Sequence, residues 1–165
     1  MAEITLKGNK INTIGTLPKL GEKAPNFNLR TIDLSQKNLS DFAGNKLILN
    51  VFPSVDTGTC ATSVREFNTK AASLENTIVA CVSKDLPFAQ ARFCGSEGIE
   101  NVIMLSDFAS GSFGKDYNLE ISNGPLANLH SRAIVIIDEN GNVTYTEQVS
   151  EIVNEPNYEA ALKAL

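Results

Sequence analysis

No segment of this chain is apolar for long enough to cross a bilayer. The longest runs, Lys46–Phe52 and Ala133–Ile137, have the length of strands, against the roughly 18 residues of a spanning helix. Met1–Lys10 has no charged segment leading into an apolar one, so no secretory signal is expected there and the chain is expected in the cytoplasm, away from membranes. Basic side chains are scarce as well. The 14 Lys and Arg stand against 19 Asp and Glu, and a net charge of −5 provides no field to gather phosphate backbones, so nucleic acid is not an expected partner. Histidine occurs once, as His130, and cysteine three times without paired spacing, which leaves a structural zinc or haem site without support. No phosphate-binding glycine pattern is present, and no cofactor or metal is expected. With 11 Gly, 6 Pro, 42% hydrophobic and 20% charged residues, the composition excludes fibrous and disordered classes. The length of 165 residues suits one domain, residues 1–165, with a core that needs no covalent staple.

What is present is an alternation of strand and helix signals. Glu3–Leu17 alternates apolar and polar residues around Gly8-Asn9, which predicts an N-terminal β-hairpin within residues 1–17. Pro18, Gly21 and Pro25 then break the periodicity, and the stretch through Phe27, Leu29, Asp33 and Phe42 reads as connective structure. The apolar run Leu47–Phe52 predicts a central strand covered on both faces, ended by Pro53. Helical spacing of Val64, Phe67, Ala71 and Leu74 predicts a helix from Cys60 to Leu74. Thr77–Ser83 is again strand-like, and Pro87 opens a helix that runs through Cys94 towards Gly95 and Gly98. Further strands are predicted at Val102–Leu105 and Ala133–Ile137, a short helix at Ser112–Tyr117, a closing hairpin strand at Val143–Glu147 and a last helix at Tyr158–Leu165. The expected fold is therefore α/β, a mixed sheet flanked by helices on both faces. Such sheets bind ligands at the carboxyl ends of their strands, which puts the loop after Phe52 at the expected place for chemistry.

That loop leads to Cys60, within the first turn of a predicted helix, where free backbone N–H groups and the positive end of the helix dipole favour an anion. Such placement is one of the ways a thiol becomes a reactive thiolate. The hydroxyls of Thr57 and Thr59 lie within loop reach, to cap the helix or donate to the sulfur. A small buried cysteine without reactivity would satisfy the same placement.

The segment Pro53-Ser-Val-Asp-Thr57-Gly-Thr-Cys60 resembles the active-site pattern of peroxiredoxins: Pro, three residues, Thr, two residues, Cys. Thr57 stands where the first Cys of a C-x-x-C motif would be, so the dithiol of a disulfide reductase is missing. A second segment, Lys84-Asp-Leu-Pro-Phe-Ala-Gln-Ala-Arg-Phe-Cys94, is similar to the signature of the thiol peroxidase branch, the atypical two-cysteine peroxiredoxins. Arg132, before the strand Ala133–Ile137, matches the family's active-site arginine, whose guanidinium offers several donors in a fixed fork. Together with the N-terminal ribbon, the likeness covers essentially the whole chain.

The resemblance implies a thioredoxin-like fold and an antioxidant peroxidase acting on hydrogen peroxide and organic hydroperoxides. Cys60 would be the peroxidatic residue, passing through a sulfenic acid, and Cys94 the resolving one, closing an intramolecular disulfide. Thr57 and Arg132 would stabilise charge moving from sulfur to oxygen, and Pro53 would shield the loop from water. Thioredoxin is the implied reductant and a homodimer the implied assembly. Helical placement of both cysteines predicts partial unwinding before the disulfide forms, because bridged Cα atoms must approach within about 7 Å. Cys81, in a predicted buried strand, is expected to pack the core. Asp33, Asp41, Asp56 and Asp107 lie among turn residues, where capping accounts for them. Two other readings stay open. One is a redox-sensing binding protein switched by the same disulfide; the other is a hydrolase that pairs Cys60 with His130.

Overall fold

Strand β5 (Lys46–Val51) explains the layering, because its side chains alternate between two apolar environments. In the computed structural model, which describes residues 1–165, Leu47, Leu49 and Val51 enter one buried cluster while Ile48 enters another on the opposite face. Both faces of the strand must therefore be covered, as its nearly continuous apolar run requires. Full burial of each such side chain contributes about 1.5–3 kcal/mol relative to exposure.

Around β5 the sheet grows in both directions. Two short strands, β3 (Asn28–Arg30) and β4 (Gln36–Asn38), form one edge of the sheet. Strands β6 (Thr77–Ser83) and β7 (Ile103–Ser106) run parallel to β5, and β8 (Ala133–Ile137) and β9 (Val143–Gln148) close the other side. The order is β4-β3-β7-β6-β5-β8-β9, with β8 antiparallel both to β5 and to β9. The parallel steps are crossed by two helices. Helix α1 (Gly58–Ala71) joins β5 to β6, and α2 (Pro87–Glu97) joins β6 to β7. A short α3 (Ser112–Asp116) packs Phe113 against Tyr117 and Phe27 on one face, and α4 (Tyr158–Lys163) meets Phe67 of α1 on the other. This is the mixed, doubly covered sheet that the alternation predicts. No helix is long and apolar enough to cross a membrane.

A separate two-stranded ribbon, β1 (Glu3–Leu6) with β2 (Asn9–Asn12), forms the N-terminal hairpin. Its turn differs from the expected one. Lys7 and Gly8 occupy the two turn positions at φ of +51° and +81°, the left-handed pair that a two-residue hairpin loop requires, while Asn9 already belongs to β2. The ribbon's buried face, Ile4 and Ile11, packs on Ile121 and Ile152.

The segment read as connective structure also differs, since it contains β3 and β4. Each strand has only three residues, too few for a period of two to register in the sequence. Helix α2 ends as predicted, with Gly98 at φ +66° continuing the chain in the left-handed region.

Candidate active site

The β5–α1 connection places Cys60 as the third residue of α1, whose first closed turn runs from Ala61 N–H to Thr57 C=O. The N–H groups of Gly58, Thr59 and Cys60 therefore precede any intrahelical acceptor and point out of the helix start. The Cys60 sulfur is fully buried, and Arg132 Nη2 donates to it at 3.3 Å. Arg132 is itself buried, at 2% exposure, and is aimed by Nε, which donates to the Ile152 carbonyl at 2.8 Å. Its Nη1 has no protein partner although it is buried. A buried guanidinium with one arm on sulfur and another unassigned is suited to an incoming polar atom, because an unpaired buried donor is costly.

Pro53, Thr57 and Arg132 line one cavity of about 440 Å³, together with Gly58 and Thr59 from the start of α1. Its remaining wall is largely apolar, supplied by Leu6, Leu126, Leu129, Ile152 and Val153. The cavity opens beyond the carboxyl end of β5, the place where such sheets are expected to bind ligands. Pro53 is buried where it follows the strand. The hydroxyls adopt roles other than those expected. Thr57 Oγ1 donates to the Ser54 carbonyl at 3.1 Å and Thr59 Oγ1 to the Val153 carbonyl at 2.8 Å, so neither hydrogen is directed at sulfur and neither side chain caps α1. Backbone carbonyls satisfy both hydroxyls, one within the loop at Ser54 and one distant in sequence at Val153, and the residue types alone do not decide either direction.

Cys94 lies on α2, half-buried, against the same apolar cluster that holds Cys60, Cys81, Phe93 and Met104. All three cysteines are free thiols. Burial pushes the Cys94 thiol above its ordinary value. Burial acts more strongly on Cys81, whose thiol rises to about 12 even though Asn50 Nδ2 donates to its sulfur at 3.6 Å. A groove between α1 and α2 separates the two helix faces. It is bridged by a bidentate Arg65–Glu97 pair at 2.9 and 3.0 Å and by Arg92–Asp56 at 3.3 Å.

His130 is not joined to Cys60. Its Nε2 meets Asp107 Oδ2 at 2.9 Å in a fully buried pair, and the Asp107 carboxylate also accepts from the N–H groups of Phe113 and Gly114. The pair secures the start of α3, and a hydrolase dyad has no geometric basis here. Of the other aspartates expected as turn caps, Asp33 accepts from Thr31 and Ser35 and Asp41 accepts from Asn38 N–H ahead of a 3₁₀ turn, whereas Asp56 is not local and accepts from Arg92 on α2.

Sequence reasoning did not find three supports of the site. Glu151 accepts from Lys7 N–H, Gly8 N–H and Thr5 Oγ1, which ties the hairpin turn to the strip that includes Ile152. The Gly8 N–H foremost, then Thr5, hold its carboxyl down to about 2. Ile152 acts on Arg132 through a main-chain carbonyl, which carries no residue signature at all. Asp85 gathers donors from the loop that follows Pro53.

Comparison with known proteins gives concordant matches. A family model described as Redoxin matches residues 19–162. Over 165 residues, the whole of this chain and 99% of the other, it is 58% identical to the thiol peroxidase of Mycobacterium tuberculosis. It is 53% identical, with the same coverage, to the thiol peroxidase of Corynebacterium glutamicum. The crystal structure of a peroxiredoxin-like protein from Aquifex aeolicus superposes with a TM-score of 0.93 at 38% identity, covering 98% of this chain and 94% of that one.

Proposed function

Because the chain belongs to the redoxin family, as a thiol peroxidase of thioredoxin-like fold, we propose that Cys60 is its peroxidatic residue, Cys94 its resolving residue, and Arg132, Thr57 and Pro53 the groups that shape the reaction. The observation that carries this reading is the 3.3 Å contact from buried Arg132 Nη2 to the Cys60 sulfur, at a helix start facing a cavity. Cationic and N–H groups so placed favour negative charge on sulfur, which is the nucleophilic form.

In the first step, the Cys60 thiolate attacks the terminal oxygen of a hydroperoxide, forming an S–O bond as the O–O bond breaks. The released alkoxide or hydroxide takes a proton and leaves as alcohol or water, and Cys60 is left as a sulfenic acid. Charge moves from sulfur to the departing oxygen, so the free Nη1 of Arg132 is the donor suited to that oxygen. Thr57 lines the cavity and has committed its hydrogen to the Ser54 carbonyl, so its part is to accept from a protonated peroxide oxygen and not to donate to sulfur. Pro53 supplies a buried, donor-free edge.

In the second step the Cys94 sulfur attacks the Cys60 sulfur, expelling water and closing a disulfide. An external dithiol protein of the thioredoxin type then reduces the disulfide and returns both thiols. We read the physiological setting as antioxidant defence in the cytoplasm, with one domain over residues 1–165 acting in a homodimer.

The experiment is peroxide consumption coupled to NADPH through thioredoxin and thioredoxin reductase. Cys60→Ser is expected to abolish it. Cys94→Ser is expected to form the sulfenic acid once and to lose continuous turnover with thioredoxin. Steady consumption by Cys60→Ser would refute the assignment.

A further inference from the structure

The carboxylate of Asp85 receives three donors. Ser54 Oγ donates to Oδ1 at 2.7 Å, while Val55 N–H and Ser83 Oγ donate to Oδ2 at 2.8 and 2.6 Å. Two of these donors belong to the loop between Pro53 and Cys60. The third belongs to the end of β6, where Ser83 Oγ also accepts from Gln90 Nε2 at 3.2 Å. Gln90 is buried and lies on α2 one turn before Cys94. Ser106 Oγ donates to the Asp85 carbonyl as well, fixing that residue from β7.

The order of the Ser54–Thr57 loop depends on this point. Ser54 Oγ, held by Asp85, accepts from Asp56 N–H, and the Ser54 carbonyl accepts from both Thr57 N–H and Thr57 Oγ1. Thr57 is the N-cap of α1, and its carbonyl receives the first helical hydrogen bond. A chain of direct contacts therefore runs from Asp85 through Ser54 to the helix turn that presents Cys60. Two oxygens with about four lone-pair sites can take three donors at once, which an alcohol or a single amide oxygen does less well.

We propose that Asp85 is a positioning residue for the peroxide reaction, fixing the Ser54–Thr57 loop, and through it the first turn of α1, against the junction that opens the Cys94 helix. The inference rests on the reading of Cys60 and Cys94 given above. Asp85 touches neither substrate nor sulfur. It acts on the placement of Cys60 and Thr57, where small displacements are costly, and on the folded state that precedes disulfide closure. Its removal is expected to affect the two chemical steps differently: attack on peroxide needs the loop fixed, whereas closure needs the same loop and α2 to come apart.

The test measures both steps in single turnover by rapid-quench alkylation and mass spectrometry, with hydrogen peroxide as the probe and thermal unfolding alongside. Asp85→Ala is expected to slow Cys60 oxidation about tenfold or more, while the closure rate holds or rises. Asp85→Asn, which can accept from Val55 N–H and donate to a serine hydroxyl, is expected to recover oxidation to within about threefold of the parent. Oxidation of Asp85→Ala within about twofold of the parent overturns the proposal, as does a parallel fall of both steps in step with lost folded protein. If Asp85→Ala does not fold, Ser54→Ala removes one donor and is expected to slow oxidation about threefold without slowing closure. Unchanged oxidation in that variant overturns the proposal. An inert Cys60→Ser beside an unaffected Asp85→Ala defeats this inference alone; peroxide consumption by Cys60→Ser defeats the reading beneath it.

Discussion

Cys60 and Cys94 border the same apolar cluster, yet their surroundings differ in kind. Cys60 is the more deeply buried and is met by a guanidinium, with a helix start around it. Cys94 is half-buried within the body of α2, no charged group accompanies it, and burial favours its neutral thiol. Cys81 completes the series: strand-bound, fully enclosed and driven to about 12. Burial by itself thus suppresses a thiol even where an amide donates to it, as Asn50 does to Cys81, and the guanidinium on Cys60 is what sets that sulfur apart. In the resolving role proposed for Cys94, a thiol kept neutral is also spared from reacting with peroxide itself.

The comparison breaks most readily at Arg132. Arg132→Gln leaves Cys60 equally buried but without its cation, and the second-order rate with peroxide is expected to fall by about a hundredfold or more, measured by competition kinetics. A variant within about tenfold of the parent would mean that the helix start suffices alone.

The next test uses pH. Because burial raises the Cys94 thiol, the thiolate that attacks the sulfenic acid is scarce at neutral pH and grows as pH rises towards its displaced value. The rate of disulfide closure after a peroxide pulse is therefore expected to climb by up to about tenfold per pH unit between about pH 6 and 8, with no plateau below the ordinary thiol range near 8.5. A plateau near pH 6 would show that Cys94 is activated as well, erasing the contrast.

Smaller effects concern what holds the two helices together. Arg65 and Glu97 bridge α1 and α2 across the groove, and Arg65 draws the Glu97 carboxyl below its usual range. Exposed pairs stabilise little, so Arg65→Ala is expected to leave the melting temperature nearly unchanged while speeding closure modestly in the same quench experiment. A slower closure would mean that the pair guides the helices and does not restrain them. Glu151 should give the smallest signal. Its folded value of about 2 lies below the ordinary 4.5, so its contribution to stability is present above 4.5 and is lost as pH falls through about 2. Amide exchange at Lys7 and Gly8 is expected to quicken in that window, and Glu151→Gln to flatten the dependence.

Much of this was legible beforehand because it is local. The runs Leu47–Phe52 and Thr77–Ser83, the apolar spacing after Cys60, and Pro87 ahead of Cys94 all express periodicities within a few residues, and the strand–helix alternation follows. The short spacing from Pro53 to Cys60 pointed to the candidate site for the same reason. The misses are long-range or main-chain. Glu151 reaches Gly8 across 143 residues and Asp85 reaches Val55 across 30, and a carboxylate in a loop does not announce its donors. Strands of three residues and the direction of the Thr57 and Thr59 hydroxyls escaped for a related reason: the backbone neighbours that decide them are set only once the sheet exists.

The N-terminal ribbon has a practical consequence. It lies outside the seven-stranded sheet but lends Leu6 and Lys7 to the wall of the candidate cavity. Immobilising the enzyme on a sensor surface through the Lys7 amine would therefore crowd the mouth proposed for peroxide entry, whereas Met1 lies at the opposite, open end of the ribbon. Attachment at Leu165, whose carbonyl meets Lys46 at the far end of β5, would leave that mouth facing solution.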